Sequence, residues 1–507
     1  METSELRKSW DEKCAVVGVF NVKKSALLCY YALFAMQHRG QESSGISTSN
    51  GHKITTIKGE GLVTSVFSGG LERLEGSASI GHNRYSTAGE DSKCDTQPIF
   101  AKYSLGEIAL AHNGNLVNAK AVRNDLISQG AIFQSHLDTE NLIHLIARSD
   151  KSRLRDRIIE SLSYLKGAYS FVLLSRGKLF AIRDPYGFRP LSLGEITNDD
   201  GSKGFVVASE TCAFDLIGAK FIRDVNPGEM LIFSVDSAEN KGDSANFSGF
   251  KDSSDSVNIG DSATCGDSTS DSNATATSLD STNASFESIQ VFPPTPKHCI
   301  FEFVYFARPD SVIFNKSVYE IRKNMGIELA KEHKIKADFV IPVPDSGVIA
   351  ALGYAQESKI PFEFGIVRNH YIGRTFIEPT QKSRELKVKL KLNPIEKLIY
   401  NKDIIIIDDS VVRGTTSKQI ISILRKAGAR RVHLVIASPQ TISPCYYGVD
   451  TPDAKHLICA NKNLAEVCEF IGADSLHFLS LDGLYRSIGV DGGEGYCKAC
   501  FDREYVV

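Results

Sequence analysis

The stretch Ile404-Ile405-Ile406-Ile407-Asp408-Asp409-Ser410-Val411-Val412-Arg413-Gly414-Thr415-Thr416-Ser417 decides how the second half of the chain folds. Four consecutive isoleucines are typical of a strand that is buried on both faces of a parallel sheet. Two aspartates and a Gly-Thr-Thr-Ser turn follow this strand, and an apolar helical pattern comes directly after the turn. The N-terminus of a helix attracts anions through its unpaired N–H groups. The stretch therefore predicts a strand, an acidic anion-binding turn and a helix.

The same order of strand, turn and helix occurs on either side of this stretch. An apolar run over Phe339–Val343 ends in Pro344-Asp345-Ser346-Gly347, and a helix-like segment covers Val348–Gln356. Val432–Ala437 is the next apolar run. Apolar strands that alternate with helices indicate a parallel sheet with both faces covered, and ligands of such sheets bind beyond the carboxyl ends of the strands. Both polar turns fall at those ends.

The paired aspartates suggest a particular ligand. Adjacent carboxylates after a buried strand can face a ribose diol and its bound metal ion, and the Gly-Thr-Thr-Ser turn can hold a phosphate. The chain has no Gly-x-x-x-x-Gly-Lys signature, so a nucleoside-triphosphate P-loop is not indicated. A capped helix after a solvated acidic turn is the alternative, although capping alone does not require two aspartates.

The first half of the chain has a different pattern of short β-like runs with helices between them. This pattern suggests α+β packing with more than one sheet. The runs are Ala15–Phe20, Ala78–His82, Ile108–Ala111, Ser170–Leu174 and Phe205–Ala208, and the helical patterns include Ala26–Gln37 and Thr139–Arg148. A segment rich in Ser, Asp, Asn, Thr and Gly separates the two halves and predicts a disordered insertion over residues 237–288.

Whole-chain properties restrict the protein class. A length of 507 residues allows two or three domains, and a net charge of −3 gives no reason to expect nucleic acid as a partner. No apolar run approaches the roughly 20 residues that cross a bilayer, and Met1–Lys13 lacks the apolar stretch of a secretory signal. We therefore expect a cytoplasmic protein without membrane contacts. Its eleven cysteines would be reduced and used for catalysis, metal binding or packing.

The Asp408–Ser417 stretch resembles the motif of type I phosphoribosyltransferases that binds 5-phosphoribosyl 1-diphosphate (PRPP). Further matches at Pro344-Asp345-Ser346, Gly373–Ile377 and the Lys-rich 382–391 segment resemble the amidophosphoribosyltransferases. The resemblance implies that Asp408 and Asp409 bind the ribose and Mg²⁺, that Ser346 is a further Mg²⁺ position, and that 371–392 closes over PRPP. A solvated basic face is the alternative for that last segment. The implied PRPP-binding residues are Asp408, Asp409, Arg413, Gly414, Thr415, Thr416 and Ser417.

The first half resembles the Ntn-type glutamine amidotransferase domain, a four-layer α+β glutaminase fold. The matching segments are Gln37–Glu42, Gly81–Thr87, His112–Leu116 and Asp138–Glu140. Release of ammonia from an amide needs a nucleophile, a base and donors to an oxyanion. The resemblance implies Cys14 as nucleophile with its own α-amine as base, Asn113 and Gly114 as the oxyanion hole, Arg84 as ligand of the glutamine carboxylate, and Asp138 as ligand of its amino group. Packing is the alternative for Cys14.

A free α-amine on Cys14 requires that residues 1–13 are a propeptide. The implied domains are then 14–236 for the glutaminase and 289–507 for the phosphoribosyltransferase. The expected reaction is the glutamine-dependent synthesis of 5-phosphoribosylamine, glutamate and pyrophosphate from PRPP, glutamine and water, which begins purine synthesis. A PRPP-binding regulatory protein without catalysis is the alternative. Purine nucleotides as inhibitors and a homotetramer are also implied by the resemblance.

Four cysteines form a separate group. Cys497 and Cys500 form a Cys-x-x-Cys pair, Cys299 precedes Tyr-Phe-Ala-Arg-Pro-Asp, and Cys445 lies in Pro-Cys-Tyr-Tyr-Gly. These positions resemble the iron–sulfur branch of the family, which implies a 4Fe-4S cluster with four thiolate ligands. Zinc would accept the same four ligands, and four buried thiols without metal remain a further alternative.

Overall fold

The computed structural model describes residues 13–85, 93–235, 284–369, 392–449, 451 and 453–507. The predicted propeptide up to residue 12, residues 237–283 of the predicted insertion and residues 371–391 of the predicted closing loop lie outside the described residues.

Seven strands of the described residues form the first antiparallel sheet, in the order β11-β9-β10-β1-β4-β2-β3. Strand β1 lies at the centre of this sheet and begins one residue before Cys14. The strands are β1 (Lys13–Phe20), β2 (Ser43–Ser49), β3 (Ile54–Glu60), β4 (Ala78–Tyr85), β9 (Ser192–Thr197), β10 (Lys203–Ala208) and β11 (Lys220–Asp224).

A second antiparallel sheet contains six described strands in the order β13-β12-β8-β7-β6-β5. Its longest strand, β6, carries His112, Asn113 and Gly114 near its C-terminal end. The strands are β5 (Ile99–Tyr103), β6 (Gly106–Leu116), β7 (Gly167–Ser175), β8 (Leu179–Arg183), β12 (Glu229–Val235) and β13 (Ala284–Gln290).

The two sheets pack face to face with helices on both outer sides. Alternation along β7 shows this arrangement, because Val172 packs in the core between the sheets whereas Phe171 packs against helices. The first sheet is covered by α1 and α6, and the second by α4 and α5. These layers confirm the four-layer α+β prediction. The helices are α1 (Ser25–Ala35), α2 (Val63–Val66), α3 (Ala119–Ser128), α4 (Thr139–Arg148), α5 (Leu154–Leu162) and α6 (Cys212–Ile217).

The second half contains the predicted parallel sheet, with described strands in the order β17-β20-β21-β22. Ile404 and Ile406 pack against the helices of one face, and Ile405 and Ile407 against those of the other. The four isoleucines therefore lie in a strand buried on both sides, as predicted. The strands are β17 (Phe339–Pro342), β20 (Asp403–Asp408), β21 (Arg431–Ile436) and β22 (Ser475–Phe478).

Helices and short strand pairs complete this half. The helices are α7 (Val318–Glu332), α8 (Val348–Ser358), α9 (Glu396–Ile399), α10 (Thr415–Lys426), α11 (Ile458–Asn461), α12 (Leu464–Ile471), α13 (Leu481–Ile488) and α14 (Ala499–Asp502). The short strands are β14 (His298–Cys299), β15 (Val312–Ile313), β16 (Lys316–Ser317), β18 (Ile366–Arg368), β19 (Leu392–Pro394) and β23 (Tyr496–Cys497). A π-helical turn spans Glu302–Phe306. Within the described residues, no helix combines the length and apolar character needed to cross a bilayer.

The structure corrects the C-terminal boundary of the predicted insertion. Residues 284–288 belong to β13, which pairs with β12 in register from Glu229 with Gln290 to Val235 with Ala284. The sequence Ala-Ser-Phe-Glu-Ser-Ile-Gln continues the polar composition of the insertion, so composition alone placed its end too late. Phe286 packs edge-on against Phe205 in the core between the sheets, which explains why these residues are ordered.

Candidate functional site

Cys14 lies near the start of β1, between β10 and β4 in the first sheet. It is fully buried, and its register partner on β4 is Arg84. The Arg84 guanidinium donates to the Asp95 carbonyl oxygen at 3.2 Å. The predicted nucleophile and the predicted carboxylate ligand therefore lie on adjacent strands at the same end of the sheet.

A serine that the sequence analysis missed links Asn113 to the strand of Cys14. The Ser209 hydroxyl accepts the Val16 N–H at 3.0 Å and lies 3.4 Å from Asn113 Nδ2. Asn113 is fully buried, and its Oδ1 has no hydrogen-bond partner among the described residues. An amide with only one long contact in a buried position can donate to a developing oxyanion with little rearrangement.

Gly114 cannot be replaced by a larger residue without strain. Its φ of 155° lies in the region that favours glycine, and an added Cβ would clash with the Ala168 carbonyl oxygen. Gly448, from the other half of the chain, also lies close to this position. A Cβ added to Gly448 would lie 3.0 Å from Gly114 Cα. The end of β6 is therefore enclosed from both sides.

Asp138 is buried behind the end of β6. One carboxylate oxygen accepts the Leu116 N–H at 2.8 Å, and the other lies 3.2 Å from His112 Nδ1 and accepts the Thr139 hydroxyl at 3.2 Å. Burial would raise the pKa of Asp138, but His112 and these hydrogen bonds outweigh burial and lower it. Asp138 thus remains a carboxylate that orients both His112 and the strand carrying Asn113.

A buried ion-pair group lies behind Cys14, and the sequence analysis did not predict it. Arg39 Nε donates to the Cys14 carbonyl oxygen at 3.0 Å, and its NH1 lies 2.6 Å from Glu210. Glu302 binds the same guanidinium with both oxygens, at 2.8 and 3.0 Å. The Gln-His-Arg-Gly-Gln-Glu motif had indicated the first domain, but no spacing pattern relates Arg39 to a partner 263 residues away.

The predicted PRPP residues meet at the carboxyl ends of β17 and β20. Ser346 donates to Asp408 at 3.2 Å, and the Asp409 N–H donates to the same carboxylate oxygen at 2.9 Å. Gly347 allows this contact because a Cβ there would clash with the Ile407 carbonyl oxygen. Burial and the neighbouring Asp409 raise the pKa of Asp408 well above its usual value. A bound cation would offset the repulsion between these two carboxylates.

The predicted phosphate turn forms the N-terminus of α10. Gly414 adopts φ 72° immediately before the helix, and an added Cβ would lie 2.9 Å from Ile458. Arg413, Thr415 and Thr416 are exposed, whereas Ser417 is buried in the first turn of the helix. The helix N-terminus and the exposed side chains of Thr415 and Thr416 are therefore accessible to an anion, and they follow the two aspartates directly along the chain.

The four predicted cysteine ligands come together in the second half. Cys299 and Cys497 are register partners of the parallel pair β14 and β23, and the Ile442 and Ser443 N–H groups donate to the Cys500 carbonyl oxygen. All four thiols line a common cavity with Phe188, Phe301 and Tyr447. Burial raises the pKa of Cys299 to about 12, and burial together with the other three thiols raises that of Cys500.

The cysteine cavity lies against the glutaminase half. Phe188 stacks on Tyr447 with ring centroids 4.3 Å apart, and Asn115 Nδ2 donates to the Tyr446 carbonyl oxygen at 2.8 Å. Asn115 follows Gly114 directly, so the segment around Cys445 contacts the end of β6. Within the described residues, no three His, Cys, Asp or Glu side chains are arranged to hold a single metal ion.

Two domain families match the two halves of the chain. A glutamine amidotransferase domain matches residues 82–215, and a phosphoribosyl transferase domain matches residues 314–450. The solved structure of the glutamine PRPP amidotransferase from B. subtilis, complexed with ADP and GMP, superposes with a TM-score of 0.82 at 40% identity and covers 97% of each chain. This agreement confirms the predicted order of the two folds.

Relatives of known name match over almost the whole chain. The amidophosphoribosyltransferase of Bacillus subtilis is 42% identical over 98% of this chain and 95% of that protein. That of Rhizobium etli is 46% identical over 94% and 88%, and the chloroplastic enzyme 1 of Arabidopsis thaliana is 45% identical over 98% and 79%. These matches confirm the prediction of an enzyme, and they do not support the alternative of a PRPP-binding regulatory protein without catalysis. The chain belongs to the amidophosphoribosyltransferases, which begin purine biosynthesis by forming 5-phosphoribosylamine, glutamate and pyrophosphate from PRPP, glutamine and water.

Proposed function

We propose that the two half-reactions of this transferase are divided between the Cys14 site and the Asp408 site. One observation supports this division. Five residues from four separate segments lie around the same ends of β1, β4 and β6, namely Cys14, Arg84, Asn113, Gly114 and Asp138. The PRPP turns lie on a different sheet, with no shared strand. Each half-reaction can therefore be lost alone.

In the first half-reaction, the Cys14 thiol attacks the amide carbon of glutamine. Its α-amine accepts the thiol proton and later gives a proton to the departing ammonia, which requires removal of residues 1–13. The amide oxygen becomes negative and accepts hydrogen bonds from Asn113 Nδ2 and the Gly114 N–H. Arg84 binds the glutamine carboxylate and Asp138 its amino group. Water then cleaves the thioester to release glutamate and restore the thiol.

In the second half-reaction, ammonia attacks the anomeric carbon of PRPP and pyrophosphate leaves. Asp408 and Asp409 bind the ribose hydroxyls, and the turn from Arg413 to Ser417 binds the 5-phosphate. The raised pKa of Asp408 and its contact with Ser346 are features that suit a cation ligand. Mg²⁺ bound there would offset the charge of the diphosphate.

We infer that Cys299, Cys445, Cys497 and Cys500 hold a 4Fe-4S cluster. Three chain segments converge on one cavity, and four thiolates are the ligand number of a cubane. Zinc would draw all four sulfurs around one ion, whereas in a cubane each sulfur binds a different iron and the sulfurs lie farther apart. When bound, the cluster would hold the three segments together.

Metal analysis tests the cluster. Protein purified without oxygen should contain about four iron and four sulfide per chain. Cys445→Ser should lose both and melt at a lower temperature, while Cys468→Ser, at a half-buried cysteine outside this cavity, should keep them. Stoichiometric zinc, or an active protein without metal, would contradict the cluster.

The start of the active chain tests the nucleophile. Intact-mass measurement should show a chain that begins at Cys14, with one covalent adduct at that residue after treatment with a glutamine analogue carrying a diazoketone group. An active protein that retains Met1–Lys13 would contradict the proposed base, because the α-amine would then lie in a peptide bond.

Regulation by purine nucleotides is a further proposal, which draws support from the B. subtilis structure with ADP and GMP. A homotetramer and a cytoplasmic location remain predictions. The relatives include chloroplastic enzymes as well as bacterial ones, so family membership alone does not determine the compartment.

A further inference from the structure

The backbone of Cys14 is held from behind by Arg39. Arg39 is 3% exposed, and its Nε donates to the Cys14 carbonyl oxygen at 3.0 Å. A residue that becomes the first of its chain has no preceding peptide to fix its orientation. Its carbonyl contact with Arg39, together with the pairing of β1 with β4, therefore fixes the backbone from which its α-amine and thiol project.

Arg39 is in turn oriented by two carboxylates, one from each half of the chain. Glu302 binds it at two points, with NH1 at 3.0 Å and NH2 at 2.8 Å, while Glu210 binds NH1 at 2.6 Å. A two-point contact between a carboxylate and a guanidinium fixes the plane of the guanidinium as well as its position. Glu302 therefore sets the direction in which Nε points.

Glu302 supplies one of the two negative charges that face Arg39 and Arg189, and His38 Nε2 also lies 2.8 Å from the other carboxylate, Glu210. Arg189 NH2 lies 2.7 Å from Glu302, so two guanidiniums face Glu302 and Glu210 in a region without solvent. Burial alone would lower the pKa of Arg39, but Glu302 and Glu210 raise it above its usual value. Loss of the Glu302 charge would leave two buried cations beside a single carboxylate.

Glu302 is anchored to the phosphoribosyltransferase half. It begins the π-helical turn Glu302–Phe306, which α7 holds through the buried Arg322. Arg322 Nε donates to the Phe303 carbonyl oxygen at 2.8 Å, and its NH2 to that of Ala307 at 2.8 Å. The position of Glu302 is thus set by the second domain.

We propose that Glu302 is a positioning residue for the glutaminase half-reaction. It orients Arg39, and Arg39 orients Cys14, so the second domain completes the nucleophile site of the first. This inference rests on the proposed role of Cys14. Glu302 does not touch glutamine, and it has no part in the attack of ammonia on PRPP.

The test compares Glu302→Gln with Asp310→Asn. Asp310 lies eight positions further along the chain in an exposed ion pair with Arg308 and serves as the matched control. In the full-length enzyme, Glu302→Gln should lower kcat for glutamine hydrolysis by about 10²-fold, since small displacements of reacting groups cost that much. The rate of adduct formation at Cys14 with the diazoketone analogue should fall in parallel. KM for glutamine and ammonia-dependent synthesis should change less than about twofold, because neither depends on the Cys14 backbone.

The possible outcomes are distinguishable. Unchanged hydrolysis and labelling in Glu302→Gln would overturn the inference, as would an equal loss of ammonia-dependent synthesis, which would indicate a merely structural role. If Glu302→Gln does not fold, Arg39→Lys keeps the charge without the two-point contact, and normal labelling in that variant would equally overturn it. Cys14→Ala in the same assays tests the role of Cys14 separately from that of Glu302. If glutamine hydrolysis survives in Cys14→Ala, the nucleophile assignment fails, whatever the result for Glu302→Gln.

Discussion

Four of the proposed glutaminase residues lie on interior strands of two stacked sheets, whereas the proposed PRPP residues lie in turns beyond the end of one sheet. Cys14 and Asn113 are fully buried, and strand pairing and side-chain bonds fix both from several directions. Arg413, Thr415 and Thr416 are exposed. The first site is built before substrate arrives, and the second leaves its phosphate-binding groups open to solvent.

This difference follows from the chemistry of each half-reaction. An oxyanion is stabilised most by donors that need no rearrangement, which requires a rigid and buried setting. A diphosphate substrate carries its own charges and cation, so the groups proposed to bind it can be exposed to solvent before it arrives. The two aspartates illustrate this: burial and the neighbouring Asp409 raise the pKa of Asp408, and a cation carried by the substrate would offset that repulsion.

Among the variants that keep Cys14, the largest effect should come from Asp408→Asn with Asp409→Asn. Each charged contact is worth about 1.5–3 kcal/mol, so the double variant should lose about 10²- to 10⁴-fold in PRPP use. Glutamine-dependent and ammonia-dependent synthesis should fall together, while basal glutamine hydrolysis persists. Titration calorimetry of PRPP with Mg²⁺ measures the loss.

Protein stability gives the control for that variant. The raised pKa of Asp408 means that its ionised form is unfavourable in the fold at neutral pH, so replacement by neutral Asn should not lower the melting temperature. Unchanged PRPP affinity in the double variant would show that these carboxylates form only a helix-capping turn.

Gly114→Ala should cause a smaller loss, and this loss should fall on the glutamine-dependent activity. The added methyl group would clash with the Ala168 carbonyl oxygen on β7 and displace β6. This displacement would move the Gly114 N–H, and loss of one oxyanion donor costs about 10²- to 10³-fold in kcat. Ammonia-dependent synthesis should be kept. Gly130→Ala is the matched control, because Gly130 also has positive φ, at 90°, but has nothing within 4 Å of an added Cβ. Equal loss of glutamine-dependent and ammonia-dependent synthesis in Gly114→Ala would contradict the assignment of Gly114 to the glutaminase half-reaction alone.

The smallest effect should come from the insertion. Val235 and Ala284 are register partners in antiparallel strands, so a two-residue Asn-Gly turn can replace residues 236–283. Both activities should stay within about twofold, since a shorter loop changes closure entropy only slowly. Steady-state rates of soluble deletion protein measure this, and a large loss of ammonia-dependent synthesis would reveal a role for the segment.

Local patterns predicted most of the fold, whereas the roles proposed for the site residues came from the family resemblance. The isoleucine run, the two turns after strands and the helix Thr139–Arg148 lie where the sequence indicated. These features depend on neighbours within one strand or one helix turn, so spacing reveals them. The four cysteines were grouped through family resemblance, and the fold brings them together.

Long-range partners were missed because nothing in spacing encodes them. Ser209 reaches Asn113 across 96 positions, and Glu302 reaches Arg39 across 263. Strand β13 was missed for a related reason: its residues are polar in composition, and pairing with β12 is what orders them. Such contacts depend on sheet order, which the sequence does not display directly.

Cys14→Ala tests the division of labour most directly. The variant should be measured for glutamine-dependent and ammonia-dependent synthesis of 5-phosphoribosylamine in the same preparation. We expect loss of glutamine-dependent synthesis below detection and survival of ammonia-dependent synthesis within about twofold, since no PRPP contact is changed. Equal loss of both activities in a folded variant, or glutamine-dependent synthesis that survives, would contradict the division of labour.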